Sequence, residues 1–176
     1  MSELRTNRII PRDGLPSGSS GGIIQVKSVT KTDPFDTLST SYTDVTGLAV
    51  SITPTRADSK ILVTYHTNAS MEDDGYRGGL RLMRDSTAIS VADADGDRIV
   101  STVAMADDPV DDEINCYSAT FLDSPSTTSS TTYKVQLTTE SSGNTGNVFV
   151  NRSGEDADNV QNARTVSSIT VMEVSG

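Results

Sequence analysis

At 176 residues the chain has room for one domain with a true core, and folding would bury roughly 70% of the surface its unfolded form exposes. Hydrophobic residues make up 34% and aromatic residues 5%, with no Trp, so that core has to be aliphatic. A net charge of −10, from 24 acidic against 14 basic side chains, argues against a nucleic-acid or anionic-membrane surface and for a solvated, self-repelling one.

Ser occurs 24 times and Thr 23 times. Thr favours strands, and Ser favours turns and exposed faces. Runs of the residues that helices prefer are missing. The composition therefore predicts an all-β protein. A single cysteine, Cys116, excludes an internal disulfide. Within Ile114-Asn115-Cys116-Tyr117 it reads as a small buried residue. The N-terminus has neither an apolar signal-peptide core nor a long apolar span. Assembly in a reducing cytoplasm is the expectation.

Residues 1–22 differ from the rest. Arg5, Arg8 and Arg12 against Glu3 and Asp13 give a local charge of 3 − 2 = +1 in an acidic chain. Pro11, Gly14 and Pro16 block a long helix or a regular strand, and Ser17 to Gly22 has the composition of a flexible linker. The apolar residues Leu4, Ile9, Ile10 and Leu15, with Arg5, Arg8, Pro11 and Arg12, suggest a docking arm that orders on a partner. The plainer reading is a frayed terminus. Residues 23–176 form the second unit.

Strand signals begin at Ile23 to Val29 and are interrupted by Thr32-Asp33-Pro34. In Tyr42 to Pro54, Leu48, Val50 and Ile52 alternate with Ala49, Ser51 and Thr53, the period of a half-buried strand, and Pro54 ends it. Lys60 to Ser70 alternates likewise, so the two are expected to form an antiparallel pair across a short polar connection. Tyr76 to Asp85 follows an acidic turn and opens on Gly78-Gly79, which signals a bulge or a close approach. Further strands are expected at Ser86 to Val91, Arg98 to Ala106, Asn115 to Asp123, Tyr133 to Thr138, Asn147 to Arg152 and Arg164 to Val174. Acidic loops separate several of them, at 71–75, 107–113 and 154–161. Nine or ten short strands at intervals of about 10–15 residues predict an antiparallel β-sandwich or jelly roll.

Chemistry is sparse. Asp93-Ala94-Asp95-Gly96-Asp97 brings three carboxylates together as a calcium loop would, since hard cations take several oxygens. Gly96 precedes the third Asp, however, and the twelfth position is Ala104 rather than Glu, so a solvated acidic turn is the default. His66 is the only histidine. A nucleophile–base pair would have to join it to Cys116 or a serine, and no Gly-x-Ser-x-Gly elbow supports one. No catalytic residue and no cofactor are expected. Tyr65, Tyr76, Tyr117 and Tyr133 could stack on sugar rings, but their alternation fits core or subunit contacts better.

Several stretches resemble the small structural proteins of marine tailed bacteriophages. They include Gly-Gly-Ile-Ile-Gln-Val, the run Ser-Tyr-Thr-Asp-Val-Thr-Gly-Leu-Ala-Val-Ser-Ile-Thr-Pro, Arg-Leu-Met-Arg-Asp-Ser-Thr-Ala-Ile, Phe-Leu-Asp-Ser-Pro and Ser-Ile-Thr-Val-Met-Glu-Val. The arm Leu-Arg-Thr-Asn-Arg-Ile-Ile-Pro is also similar to theirs. The resemblance implies a jelly roll of the complement-C1q and tumour-necrosis-factor type, assembled as a homotrimer. It implies a non-enzymatic virion protein, either tail fibre, spike or capsid decoration, docked through its arm on another virion protein and aiding host attachment. The alternative is a carbohydrate-binding module for host surface glycan.

Overall fold

The structure is a computed structural model that describes residues 22–71, 77–105, 113–140 and 146–175. Among these there is no helix. Eleven strands run in chain order: β1 (Ile23–Lys31), β2 (Phe35–Thr37), β3 (Thr43–Ile52), β4 (Lys60–Met71), β5 (Gly78–Arg84), β6 (Thr87–Ile89), β7 (Val103–Met105), β8 (Asn115–Asp123), β9 (Thr131–Thr139), β10 (Val148–Val150) and β11 (Ser167–Val174).

They form two antiparallel sheets. In the first, β4 pairs through Lys60–His66 with β11 and through Ala69–Met71 with β10, while its opposite edge pairs with β8. β1 and β2 then line the far sides of β11 and β10. In the second sheet, β9 lies between β3 and β5, and the free edge of β5 is shared by β6 and β7. Counting β1/β2, β6/β7 and β10/β11 as single rows leaves eight rows. Their order is 1-8-3-6 in one sheet and 2-7-4-5 in the other. That interleaving is the jelly roll, in which two Greek keys wrap into a sandwich.

β3 and β4 therefore do not pair with each other, contrary to the sequence expectation. The polar connection 53–59 carries the chain from one sheet to the other, and local alternation cannot distinguish such a crossing from a hairpin. Within the expected strand at 98–106 the described ladder is β7 alone, because carbonyls before it are taken by other partners, Val100 O by the Tyr42 hydroxyl at 2.7 Å and Ser101 O by Ala92 N at 3.2 Å.

The core is aliphatic. Val45, Leu48, Val50 and Ile52 of β3 meet Leu80 and Leu82 of β5, Val135 and Leu137 of β9, and Ile61, Val63, Ile169 and Val171 of the facing sheet. Full burial of each such side chain contributes roughly 1.5–3 kcal/mol. Tyr65 and Tyr133 are buried too, as core residues. Gly78 and Gly79 mark a close approach. A Cβ on Gly78 would stand 2.8 Å from the Thr138 carbonyl oxygen, and one on Gly79 would stand 2.7 Å from the Tyr42 hydroxyl.

The strand directions give the sandwich two poles. At one, the Gly22 carbonyl accepts from Ser175 N at 3.0 Å, and connections 53–59 and 124–130 lie beside it. At the other pole are the strand ends that flank segments 72–77, 106–114 and 140–147.

Candidate functional site

The first pole is held by two buried carboxylates on either side of Ile61, which pairs with both Glu173 and Asp123. Glu173 occupies the inward position after Ser167, Ile169 and Val171, so strand parity drives its carboxylate inside, fully buried. Gln25 Nε2 donates to its Oε2 at 2.6 Å, and Thr55 N and Oγ1 donate to its Oε1, both at 2.7 Å. Burial alone would push this carboxyl up, but those donors hold it below its ordinary value. The contact joins β1, β11 and the crossing between sheets.

Asp123 ends β8 in the same way, inward after Tyr117, Ala119 and Phe121. It accepts from the Tyr133 hydroxyl at 2.7 Å and from Arg84 at 2.8 and 3.0 Å. Burial, and then the bond to this carboxylate, push the Tyr133 phenol well above its usual range. Both carboxylates are saturated by partners of their own chain, so they hold structure and offer no free acid or base.

A third tie lies where β10 gives way to β11. Asn151 is fully buried and adopts φ 65°, a left-handed conformation that Asn tolerates better than most residues. Its Nδ2 donates to the carbonyls of Lys31 and Asp33, and its Oδ1 accepts from Ser167. It thereby stitches the break between β1 and β2 to the excursion of 152–166. Strand and turn patterns gave no sign of this role.

The sequence candidates fare as follows. Leu4, Arg5, Arg8, Ile9, Ile10, Pro11, Arg12 and Leu15 lie outside the described residues. Asp93, Asp95 and Asp97 are exposed, Asp95 is engaged by Arg98, and no group of three or more such ligands that could hold a metal occurs among the described residues. Cys116 is exposed rather than buried, because its odd–even position on β8 sends it to the outer face of the first sheet. His66 is on that same face, with its Nδ1 3.1 Å from Ser168 Oγ. Cys116 pairs with Asn68, one row from His66, so the two are diagonal neighbours on the order of 7–8 Å apart. Among the described residues no carboxylate on that face orients the imidazole.

A depression of about 330 Å³ near the second pole is lined by Arg77, Arg98, Ile99, Ser101, Met105 and Glu140 among others. Ser101 has no imidazole beside it, since His66 belongs to the outer face of the other sheet. Nothing in the depression constitutes a nucleophile–base pair.

The outer face of the first sheet carries the most distinctive surface. Cross-strand register sets Val26, Met172, Leu62 and Leu122 in one row, then Ser28, Thr170, Thr64 and Thr120, then Thr30, Ser168, His66 and Ser118. None of these twelve is Asp, Glu, Lys or Arg, on a chain of net charge −10.

No protein-family model matches the chain, and neither does any curated protein. Among solved structures, infectious bursal disease virus of the Gt strain is similar at 15% identity, over 98% of this chain and 43% of that one, with a TM-score of 0.45. The Gx strain matches at 16% identity over 98% and 45%, with a TM-score of 0.44. A mutant VP2 protein of the same virus matches at 14% identity over 98% and 41%, with a TM-score of 0.46. The chain spans less than half the length of each. At that distance the likeness carries no argument about role, and the jelly roll rests on the strand pairing itself.

Proposed function

We propose that this chain is a non-enzymatic structural protein of a bacteriophage virion, anchored through residues 1–22 and displaying the jelly roll of 23–176 as a fibre, spike or head decoration. The observation that carries the reading is the polarity of the sandwich. The segment that follows the basic, apolar arm enters at the pole closed by Glu173 and Asp123. In sequence, the acidic stretches 72–74 and 107–113 follow β4 and β7, whose ends Met71 and Met105 lie at the other pole. An anchor at one end and a solvated, repelling end opposite is what a displayed module needs. The likeness of the strand and arm segments to phage structural proteins supports the same reading.

The test is deletion of residues 1–22. Incorporation into particles, read by mass spectrometry of purified virions, is expected to be lost while far-UV circular dichroism stays that of a folded β-protein. Unchanged incorporation refutes the docking role. The glycan alternative needs exposed aromatic rings. Of the four candidate rings, Tyr65 and Tyr133 are buried, Tyr117 is half-buried on the inner side of β8, and Tyr76 lies outside the described residues. No observation among the described residues favours it.

A further inference from the structure

A sheet edge is a row of backbone donors and acceptors ready to pair with another chain, and sandwiches blunt theirs with charge, bulges, proline or brevity. Three of the four edges here are blunted. β1 carries Lys27 and Lys31, slips register between Ile23 and Gln25, and gives way at Pro34 to the three-residue β2. β3 has Asp44 and a register shift before Ala49, around Gly47 at φ 84°. β6 and β7 are three residues each.

β8 has none of these devices. Its register with β4 runs unbroken through nine pairs, from Ile61–Asp123 to Ala69–Asn115. It contains no Pro, Lys or Arg, and its one charged residue, Asp123, is neutralised inside its own chain by Arg84. Among the described residues β8 pairs only with β4. Cys116, Ser118, Thr120 and Leu122 are exposed outward, and Tyr117, Ala119 and Phe121 are only half-buried on the inner side.

We infer that the β8 edge pairs antiparallel with β8 of a second copy, about a two-fold axis at Ala119. That register opposes Ser118 to Thr120 of the partner subunit and Tyr117 to the partner's Phe121. Outward hydroxyls then meet hydroxyls, and inward aromatics meet aromatics. A register centred on Thr120 would instead set Tyr117 against the partner's Asp123.

Charge selects a second copy as the occupant. Two chains of net charge −10 repel, yet the faces flanking this seam are the uncharged rows described above. The antiparallel arrangement also sets the Met71 and Met105 strand ends of each copy, which the acidic stretches follow in sequence, far from those of the other.

Light scattering of the full chain after size exclusion is expected to give about 37 kDa, twice the chain mass of 18.6 kDa. Double substitution Ser118→Lys with Thr120→Lys places like charges directly opposite across the seam and should return the mass to one chain. It also lowers the net charge per chain to −8, so general repulsion alone would predict more association, not less. The control, Ser28→Lys with Thr30→Lys, makes the same charge change on the same face at the far edge and should stay at two chains. Ala119→Cys in a Cys116→Ser background brings two thiols opposite each other within disulfide reach, and should crosslink the pair under mild oxidation. A wild-type mass of one chain at hundreds of micromolar overturns the inference. So does a mass of three chains, which is the threefold arrangement the phage resemblance implies, or a pair indifferent to the β8 lysines.

Discussion

Glu173 is the residue whose removal tests the account of the pole at which the chain enters the sandwich. Glu173→Gln keeps the shape and deletes the charge. Three donors reach this carboxylate at 2.6–2.7 Å. Hydrogen bonds to a charged group contribute about 1.5–3 kcal/mol each, against about 1 kcal/mol for neutral ones. The neutral side chain is also cheaper to bury, which offsets part of the loss. Its amide must further turn one N–H toward a donor, and the Thr55 backbone N–H cannot rotate away. The net expectation is a loss of about 2 kcal/mol at pH 7, or about 4–8 °C in Tm for a chain of this size.

The pH dependence gives the sharper readout. Because the folded carboxyl titrates below its ordinary value, the stability it contributes is present above the unfolded value and is lost as pH falls through the folded one. Urea midpoints of the wild type should therefore hold from pH 7 to about 5 and fall below about 4.3. The Glu173→Gln variant starts lower and loses less over the same acid range, so the two curves converge. Parallel curves would refute the assignment of Glu173 as an ionised, donor-saturated tie.

Two further substitutions probe backbone constraints. Asn151→Ala loses the bonds to Lys31 and Asp33 and forces a left-handed φ on alanine, for a cost of about 2–4 kcal/mol by urea denaturation. Asn151→Gly keeps the φ and should cost about 1 kcal/mol less, so equal losses would remove the conformational part of the argument. Gly78→Ala should exceed Gly79→Ala in destabilisation, with the second near 1–3 kcal/mol. The first meets a backbone carbonyl at 2.8 Å, whereas the second meets side-chain atoms alone, the Tyr42 hydroxyl at 2.7 Å, Ile99 Cγ2 at 2.9 Å and Ser101 Cβ at 3.0 Å. The reverse order, measured by the same midpoints, would contradict the contact geometry.

Most of the sandwich was legible because alternation is a local property. The Leu48-Val50-Ile52 and Ile61-Val63-Tyr65 rhythms fixed which side chains point inward without knowledge of the partner strand. Pro54 and the Thr32-Asp33-Pro34 break fell where β3 and β1 end. What alternation cannot report is which sheet a strand joins, and for that reason the β3–β4 hairpin failed. The same rhythm, carried one step further, places Glu173 and Asp123 inside, but a charged residue at the end of a strand reads as a surface residue until its partners are known. Those partners lie 148 and 118 residues away for Glu173, and 39 and 10 away for Asp123. Cys116 was misplaced because its apolar neighbours in sequence outweighed its parity on β8. Asn151 acts through a buried left-handed bend that no periodicity encodes.

The proposed two-fold seam and the proposed anchoring arm make opposing demands, since antiparallel pairing sends the two entry poles in opposite directions. Chain length resolves the conflict. Twelve residues of β4 span about 40 Å at about 3.3 Å each, which sets the height of the sandwich. Residues 1–22 can extend at most about 70–80 Å. An arm leaving the distal pole of one copy can therefore pass the sandwich and reach the same support as the arm of its partner. Such a pair would grip one surface twice, and the second attachment would gain from the effective concentration set by the first. Shortening the Ser17–Gly22 linker should then reduce particle binding far more than it reduces the affinity of an isolated arm peptide. If both fall in proportion, the two arms do not share a support, and the pair bridges two surfaces instead.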